Sequence, residues 1–275
     1  MSEVVLREIF DDVAVLTFNR PDRLNAWIPE MQTLYFDLLE DCADREDVRA
    51  IVLTGAGRGF CAGADMQNLE AVAGGDTERT SGAHDPRPVT FALSIPKPVI
   101  AAINGPCAGL GLVHAVMCDI RIAWEGAKMT TAFARRGLVA EHGLSWMLPR
   151  LVGPARALDL LLSGRVVLGS EAAEMGLVNR AVGEGQALEQ AVAYARMLAS
   201  ESSPASMARM KAQVYGDLEH GLEESLEEAN RLMGLSFAHP DFAEGVNSFV
   251  ERRAPGFQPL TRATAAEPTA GAASR

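Results

Sequence analysis

The chain has 275 residues, 48% of them hydrophobic and 22% charged, which excludes wholesale disorder and suits one large α/β domain or a domain with an appendage. Its 25 Lys and Arg stand against 36 Asp and Glu, a net charge of −11, which is a poor field for nucleic acid or an anionic membrane surface but leaves room for a local basic patch toward a small phosphorylated ligand. No apolar run reaches the ~18 residues of a membrane span, and the opening stretch carries Glu3, Arg7, Glu8, Asp11 and Asp12 in place of the apolar centre of a signal peptide, so a cytoplasmic protein is expected.

In chain order, four short apolar runs read as strands: Val13–Phe18, 50–54, 98–103 and Ile120–Trp124. They are rich in Val, Ile and Ala, and three are almost wholly apolar, the pattern of strands buried on both faces with helices between them. Residues 25–43 carry Trp27, Met31, Leu34, Leu38 and Leu39 at helical spacing with Pro29 in the first turn. The polar, glycine- and proline-bearing stretch 71–88 reads as a long loop. Residues 106–117 form a compact small-residue segment, and 153–163 and 169–175 read as helices, the second stopped by Gly176. From about Gly185 the chain turns helical, with segments at 187–200, 206–216, 222–236 and 240–253. The expected organisation is an α/β core over 1–185, a helical region over 186–260 and a flexible tail over 261–275 with little to bury.

Cys42, Cys61, Cys107 and Cys118 form no CxxC pair and have no zinc-type spacing, so they read as small buried residues of a reducing compartment. Two glycine-rich turns follow strands. The first, Thr54 to Met66, invites comparison with a dinucleotide-binding loop, but the G-x-G-x-x-G pattern fails because Phe60 stands at the last position. Gly109-Leu110-Gly111 fails likewise, with His114 where the third glycine belongs. The second turn, Ile103 to Leu112, runs from a strand into a helix, whose first N–H groups lack intrahelical partners and carry the positive dipole end. Two such turns facing each other make an oxyanion hole, with backbone N–H groups aimed at a carbonyl oxygen.

These turns, FCAGADM and AAINGPCAGLGL followed by MCDIRIA, together with FNRPDRLNA, GLVAEHGLSWMLPRLVG and DFAEGVNSFVERR, resemble the crotonase superfamily of enoyl-CoA hydratases and isomerases, in the family's order over roughly residues 4–257. The resemblance implies a spiral of ββα units with a C-terminal helical region, a homotrimer or homohexamer, and a coenzyme A thioester as substrate. No cofactor beyond that coenzyme A and no metal is implied. It implies oxyanion donors at the N–H groups of Ala64 and Leu110, the latter where the family usually has glycine. Ala62, Gly63, Asp65 and Met66 resemble the stretch that wraps the adenine end of coenzyme A, Arg23 the residue that meets its phosphates, and Arg252 a basic residue of the C-terminal helices.

The departures are equally specific. The two glutamates of the family's hydratases fall here on Val113 and Phe133, neither of which moves a proton. One acid remains nearby: Glu141 stands at a loop position that related isomerases fill with aspartate, and it is the expected acid/base. Its neighbour His142, and His114 on the helix after the second turn, read as structural. Moving a double bond needs one base that takes a proton and returns it, so isomerisation is favoured over two-glutamate hydration. Hydration through Glu141 alone, a non-catalytic acyl-CoA-binding protein and a nicotinamide-dependent oxidoreductase are the alternatives.

Overall fold

The computed structural model describes residues 3–75 and 85–265. Its larger sheet opens with a hairpin, β1 (Val5–Phe10) against β2 (Val13–Phe18), closed by Asp11 and Asp12, both in the left-handed region, as a two-residue turn between twisted strands requires. Parallel to β2 follow β3 (Ala50–Gly55), β4 (Val99–Ile103), β6 (Ile120–Trp124) and β9 (Arg180–Val182) in that order. β2, β3 and β4 are buried on nearly every residue, which is why they read as apolar runs. β1 and β9 were not expected: both lie at the sheet's edges and carry charge, Arg7 and Glu8 in one, Arg180 in the other.

A second sheet of β5 (Cys107–Ala108), β7 (Lys128–Thr130) and β8 (Val167–Leu168) stands beside the first. Isolated bridges between Cys61 and Cys107 and between Trp27 and Ala64 extend it. Successive turns of chain therefore place one strand in the large sheet, one short extended piece in the small one, and then a helix. α1 (Pro29–Asp44) follows Trp27, α2 (Met66–Ala73) follows Ala64, and α3 (Leu110–Val116) follows β5. This is the expected spiral of ββα units.

α1 starts at Pro29 and not at residue 25, because Leu24 and Asn25 have positive φ. The fully buried Asn25 instead accepts from the Arg20 N–H at 2.8 Å and donates to the carbonyls of Ala56 and Gly59, tying the segment before the helix to the first glycine-rich turn. α2 covers residues expected as turn and loop, capped by the Asp65 side chain on the Gln67 N–H at 3.1 Å. Residues 76–84 of the expected long loop lie outside the described residues.

α4 (Leu144–Val152) and α5 (Pro154–Ser163) pack under the small sheet, followed by α6 (Gly169–Glu174). α7 (Ala187–Glu201) lays Ala191, Val192 and Ala195 on the large sheet's second face, against Val13, Val52, Ile100 and Ile122. The first helix of the expected helical region is thus a cover for the core. α8 (Pro204–Gly216), α9 (Leu222–Ala238) and α10 (Pro240–Glu251) extend from it. The last stretch turns back on the core: α11 (Arg262–Ala265) docks through Arg262 on Glu40 at 2.8 Å and on Asp44. Ion pairing thus orders residues 261–265 of the expected flexible tail; the remainder lies outside the described residues. The four cysteines are free and buried.

Candidate active site

The two glycine-rich turns lie against each other. Cys61 and Cys107 face across the bridge, the Ala108 N–H donates to the Cys61 carbonyl at 3.0 Å, and the N–H groups of Phe60 and Cys61 share the Pro106 carbonyl at 3.1 Å. Gly63 has φ +98°, and a Cβ there would stand 2.9 Å from the Ala108 carbonyl oxygen and 3.8 Å from the Gly109 Cα. Only glycine allows that backbone angle and that approach. Among the described residues neither the Ala64 N–H nor the Leu110 N–H meets an acceptor, while the N–H groups of Ala62, Asp65 and Gly109 donate to the carbonyls of Leu24, Trp27 and Thr130. Two backbone donors are left free on two segments held in contact.

Ala64 and Leu110 both line a cavity of about 600 Å³. Trp27 and Pro29 at the head of α1, Ala62 to Ala64, Leu69 and Val72 of α2, Val89, and the segment from Thr131 to His142 form its wall. Of the nine residues singled out from sequence, Ala62, Gly63, Ala64, Leu110 and Glu141 share this wall. Arg23, Asp65, Met66 and Arg252 do not. Asp65 turns inward to Arg20, 2.9 Å away, and to the α2 cap. Met66 is half exposed on that helix. Arg23 ends an exposed helical turn close enough to Asp65 to favour its ionised form. Arg252 is exposed at the end of α10 in the left-handed region.

Phe133 is on the wall and nearly buried, whereas Val113 is fully buried behind it and does not reach the cavity. Trp27 serves both core and cavity; Trp146 packs against the core with Arg150 stacked 4.0 Å over its ring. His142, which the sequence reading took as structural, is on the wall, and so are Arg87 and Arg136, which it did not single out. Arg87 is held among Asp85, Asp37 and Glu40 at 2.6–2.7 Å, so its charge is cancelled locally. The His142 Nε2 lies 3.4 Å from a Glu141 carboxylate oxygen. Burial pulls the imidazole below its ordinary value against the opposing pull of Glu141. Behind them His114 is buried on α3, its ring 4.0 Å from that of Trp27 and its Nε2 without a partner. Burial, and then His142, drive it to about 3, so it stays neutral. Among the described residues no His, Cys, Asp and Glu cluster is placed to hold a metal ion, and no helix is long and apolar enough to cross a membrane.

A family model for enoyl-CoA hydratase/isomerase matches residues 8–259. The chain belongs to the enoyl-CoA hydratase/isomerase family. A 1,2-epoxyphenylacetyl-CoA isomerase of Escherichia coli is 34% identical over 94% of this chain and 99% of that protein. The crystal structure of an enoyl-CoA hydratase from a Polaromonas species superposes with a TM-score of 0.86 at 28% identity, covering 92% of this chain and 99% of that one. An enoyl-CoA hydratase from Mycobacterium marinum is 48% identical, with a TM-score of 0.68 over 80% of this chain and all of the other. The resemblance to the crotonase superfamily is borne out in both sequence and fold, and the protein is an enzyme of the hydratase/isomerase type. A nicotinamide-dependent oxidoreductase is set aside.

Proposed function

We propose that this family member is an acyl-CoA isomerase that shifts a double bond through a thioester enolate, with Glu141 as its single carboxylate acid/base. One observation carries the reading. Ala64 and Leu110, whose N–H groups meet no acceptor among the described residues, share a cavity with Glu141, while the other carboxylate on that wall, Asp85, is held by Arg87, and apolar Phe133 and Val113 stand where the family resemblance places the hydratase acids.

The chemistry follows from the placement. The thioester oxygen accepts from the Ala64 and Leu110 N–H groups. Charge that builds on it as a Cα proton leaves is met by fixed dipoles that need no reorganisation. Glu141 takes that proton and returns one to Cγ. Phe133 offers a water no polar partner at the place where the resemblance puts an acid, which disfavours hydration. The Ala62 to Met66 stretch would hold the adenine end. Arg23 would meet the phosphates outside the cavity, and Arg252 would reach a ligand held by its own or a neighbouring subunit. The Escherichia coli relative is named as an isomerase of an epoxide, and several neighbours are named hydratases.

The same proposal includes a homotrimer or homohexamer. Leu222, Leu226, Met233 and Phe237 of α9 and Phe249 of α10 are exposed, Leu222 and Phe249 at 87% and 85%, and an apolar face of that kind marks a contact between copies.

The test is a panel of 2-enoyl, 3-enoyl, dienoyl and aryl-acetyl thioesters given to the wild type and to Glu141→Gln. Isomerisation of a 3-enoyl or dienoyl thioester is expected, reduced ~10²–10⁴-fold in Glu141→Gln. Crotonyl-CoA hydration at the faster rate, unchanged by the substitution, overturns the proposal.

A further inference from the structure

We propose that His142 is the proton exit of Glu141, a relay that carries the abstracted proton from the carboxylate to solvent and brings one back. The inference rests on the reading of Glu141 as the acid/base and extends it to a residue that reading leaves unused.

The placement begins with the backbone. Adjacent side chains on an extended loop point apart, so nothing in the order Glu141-His142 sets the imidazole on the carboxylate. Here His142 has φ +53° and Gly143 follows at +77°. The chain therefore doubles back, and Nε2 arrives 3.4 Å from Oε2 of Glu141. A left-handed conformation is strained for a non-glycine residue, and such conformations gather where a site over-determines the backbone. The separation is slightly long for a hydrogen bond, as acid/base contacts often are before substrate closes them.

Both side chains are on the cavity wall and both are partly open to solvent, the imidazole at 38% and the carboxylate at 32%, so the imidazole touches the cavity, the carboxylate and solvent at once. Glu141 acts on its charge, His114 behind it on α3 feels that charge, and Arg136 is on the same cavity wall. His114 is enclosed by Trp27, Tyr35 and Phe18 and stays neutral. A charge therefore cannot move inward. Arg136, whose guanidinium reaches the Ala132 carbonyl at 3.3 Å, bears no removable proton at working pH. Of the three, only the Glu141 carboxylate gives a proton to His142 and takes one from it.

The steps balance. The Glu141 carboxylate takes the C2 proton of a 3-enoyl thioester, and the C–H electron pair passes into the dienolate. Protonated Glu141 gives that proton to Nε2, which regenerates the carboxylate and leaves an imidazolium. The imidazolium exchanges with water and returns a solvent proton through Glu141 to C4. The dienolate pair forms the C4–H bond and leaves the double bond between C2 and C3. One proton is lost and one gained.

The experiment is isomerisation of a 3-enoyl-CoA in D2O by the wild type, His142→Asn, His142→Gly and Glu141→Gln, with label at C4 read by mass spectrometry and rates followed across pH. Asn and Gly both accept the left-handed backbone, so the turn survives, and folding is checked by circular dichroism. Wild-type product is expected to carry solvent deuterium. In His142→Asn the label falls to about a tenth, turnover drops ~10-fold or more, and the imidazole ionisation leaves the pH profile. Free imidazole restores the label in His142→Gly, which a merely structural role would not allow. Wild-type product without solvent label, or a His142→Asn enzyme unchanged in label and pH profile while Glu141→Gln is inactive, overturns the relay alone. Full turnover in Glu141→Gln overturns the acid/base reading and the relay with it.

Discussion

Gly63→Ala is the sharpest probe of the two facing turns. The new Cβ would stand 2.9 Å from the Ala108 carbonyl oxygen at a φ of +98°, closer than a side-chain carbon tolerates. The obstacle is backbone, so it cannot rotate away. Ala108 is two residues before the Leu110 donor and Gly63 one before the Ala64 donor, so any relief moves at least one of them. Loss of one oxyanion donor costs ~10²–10³ in kcat, and the strain itself about 1–3 kcal/mol of stability. Gly75 supplies the control: its φ is +97°, but a Cβ there meets nothing within 4 Å among the described residues. Gly75→Ala therefore carries the backbone strain without the collision. Turnover of the best thioester and urea unfolding, measured on both variants, separate the two effects. Gly63→Ala is expected to lose kcat far more than substrate affinity, and Gly75→Ala to lose a little stability and no turnover. If Gly63→Ala keeps turnover within about threefold of wild type, the donors are not where the thioester oxygen binds.

Three further outcomes are expected. Glu141→Ala should bind acyl-CoA within about tenfold of wild type by calorimetry, or ~1.4 kcal/mol, because the carboxylate serves the chemistry and not the coenzyme. Light scattering should give a multiple of the 29.4 kDa chain; a monomer in dilute buffer refutes the self-association. Burial pushes the thiols of Cys61 and Cys118 up to about 12. Between the ordinary thiol value near 9 and that value the unfolded chain gives up protons the folded one keeps. Stability therefore falls as pH rises, by up to about 1.4 kcal/mol per pH unit for each thiol. Lys97, drawn by burial to about 8, works in the opposite direction, so the slope is read as the difference between wild type and Cys118→Ala across pH 9–11 in urea melts.

The parts of the fold that were legible were those whose burial is written in a single run. β2, β3, β4 and β6 are apolar because helices cover both faces. β1 and β9 were missed because an edge strand may carry charge on its open side, as Arg7, Glu8 and Arg180 do. α4 buries Leu144, Met147, Leu148 and Val152 at helical spacing but contains Pro149, which argues against a helix when spacing alone is read. In the site, the glycine turns were visible because a backbone donor at a strand-to-helix junction needs glycine beside it. His142 was not, because its direction depends on two consecutive left-handed residues, and only the second is a glycine.

The register of the two donors has a cause that side-chain chemistry does not disclose. Each donor lies three residues beyond a cysteine, Ala64 beyond Cys61 and Leu110 beyond Cys107, and the two cysteines face each other across the bridge. Sliding one turn past the other by a residue would separate the donors and also drive larger neighbours, Phe60 or Pro106, into the contact. Burial keeps both thiols protonated, so they are poor nucleophiles, and their small volume is what the junction uses. Gly111, whose Cβ would overlap the Cys61 carbonyl oxygen, and Gly105, whose Cβ would overlap that of Arg58, close the same contact on either side. The donors are therefore set by backbone packing, while the acid is set by a separate loop. On the reading proposed for Glu141 and the two donors, a substitution at position 141 changes the proton transfer and leaves the register of the two turns as it is.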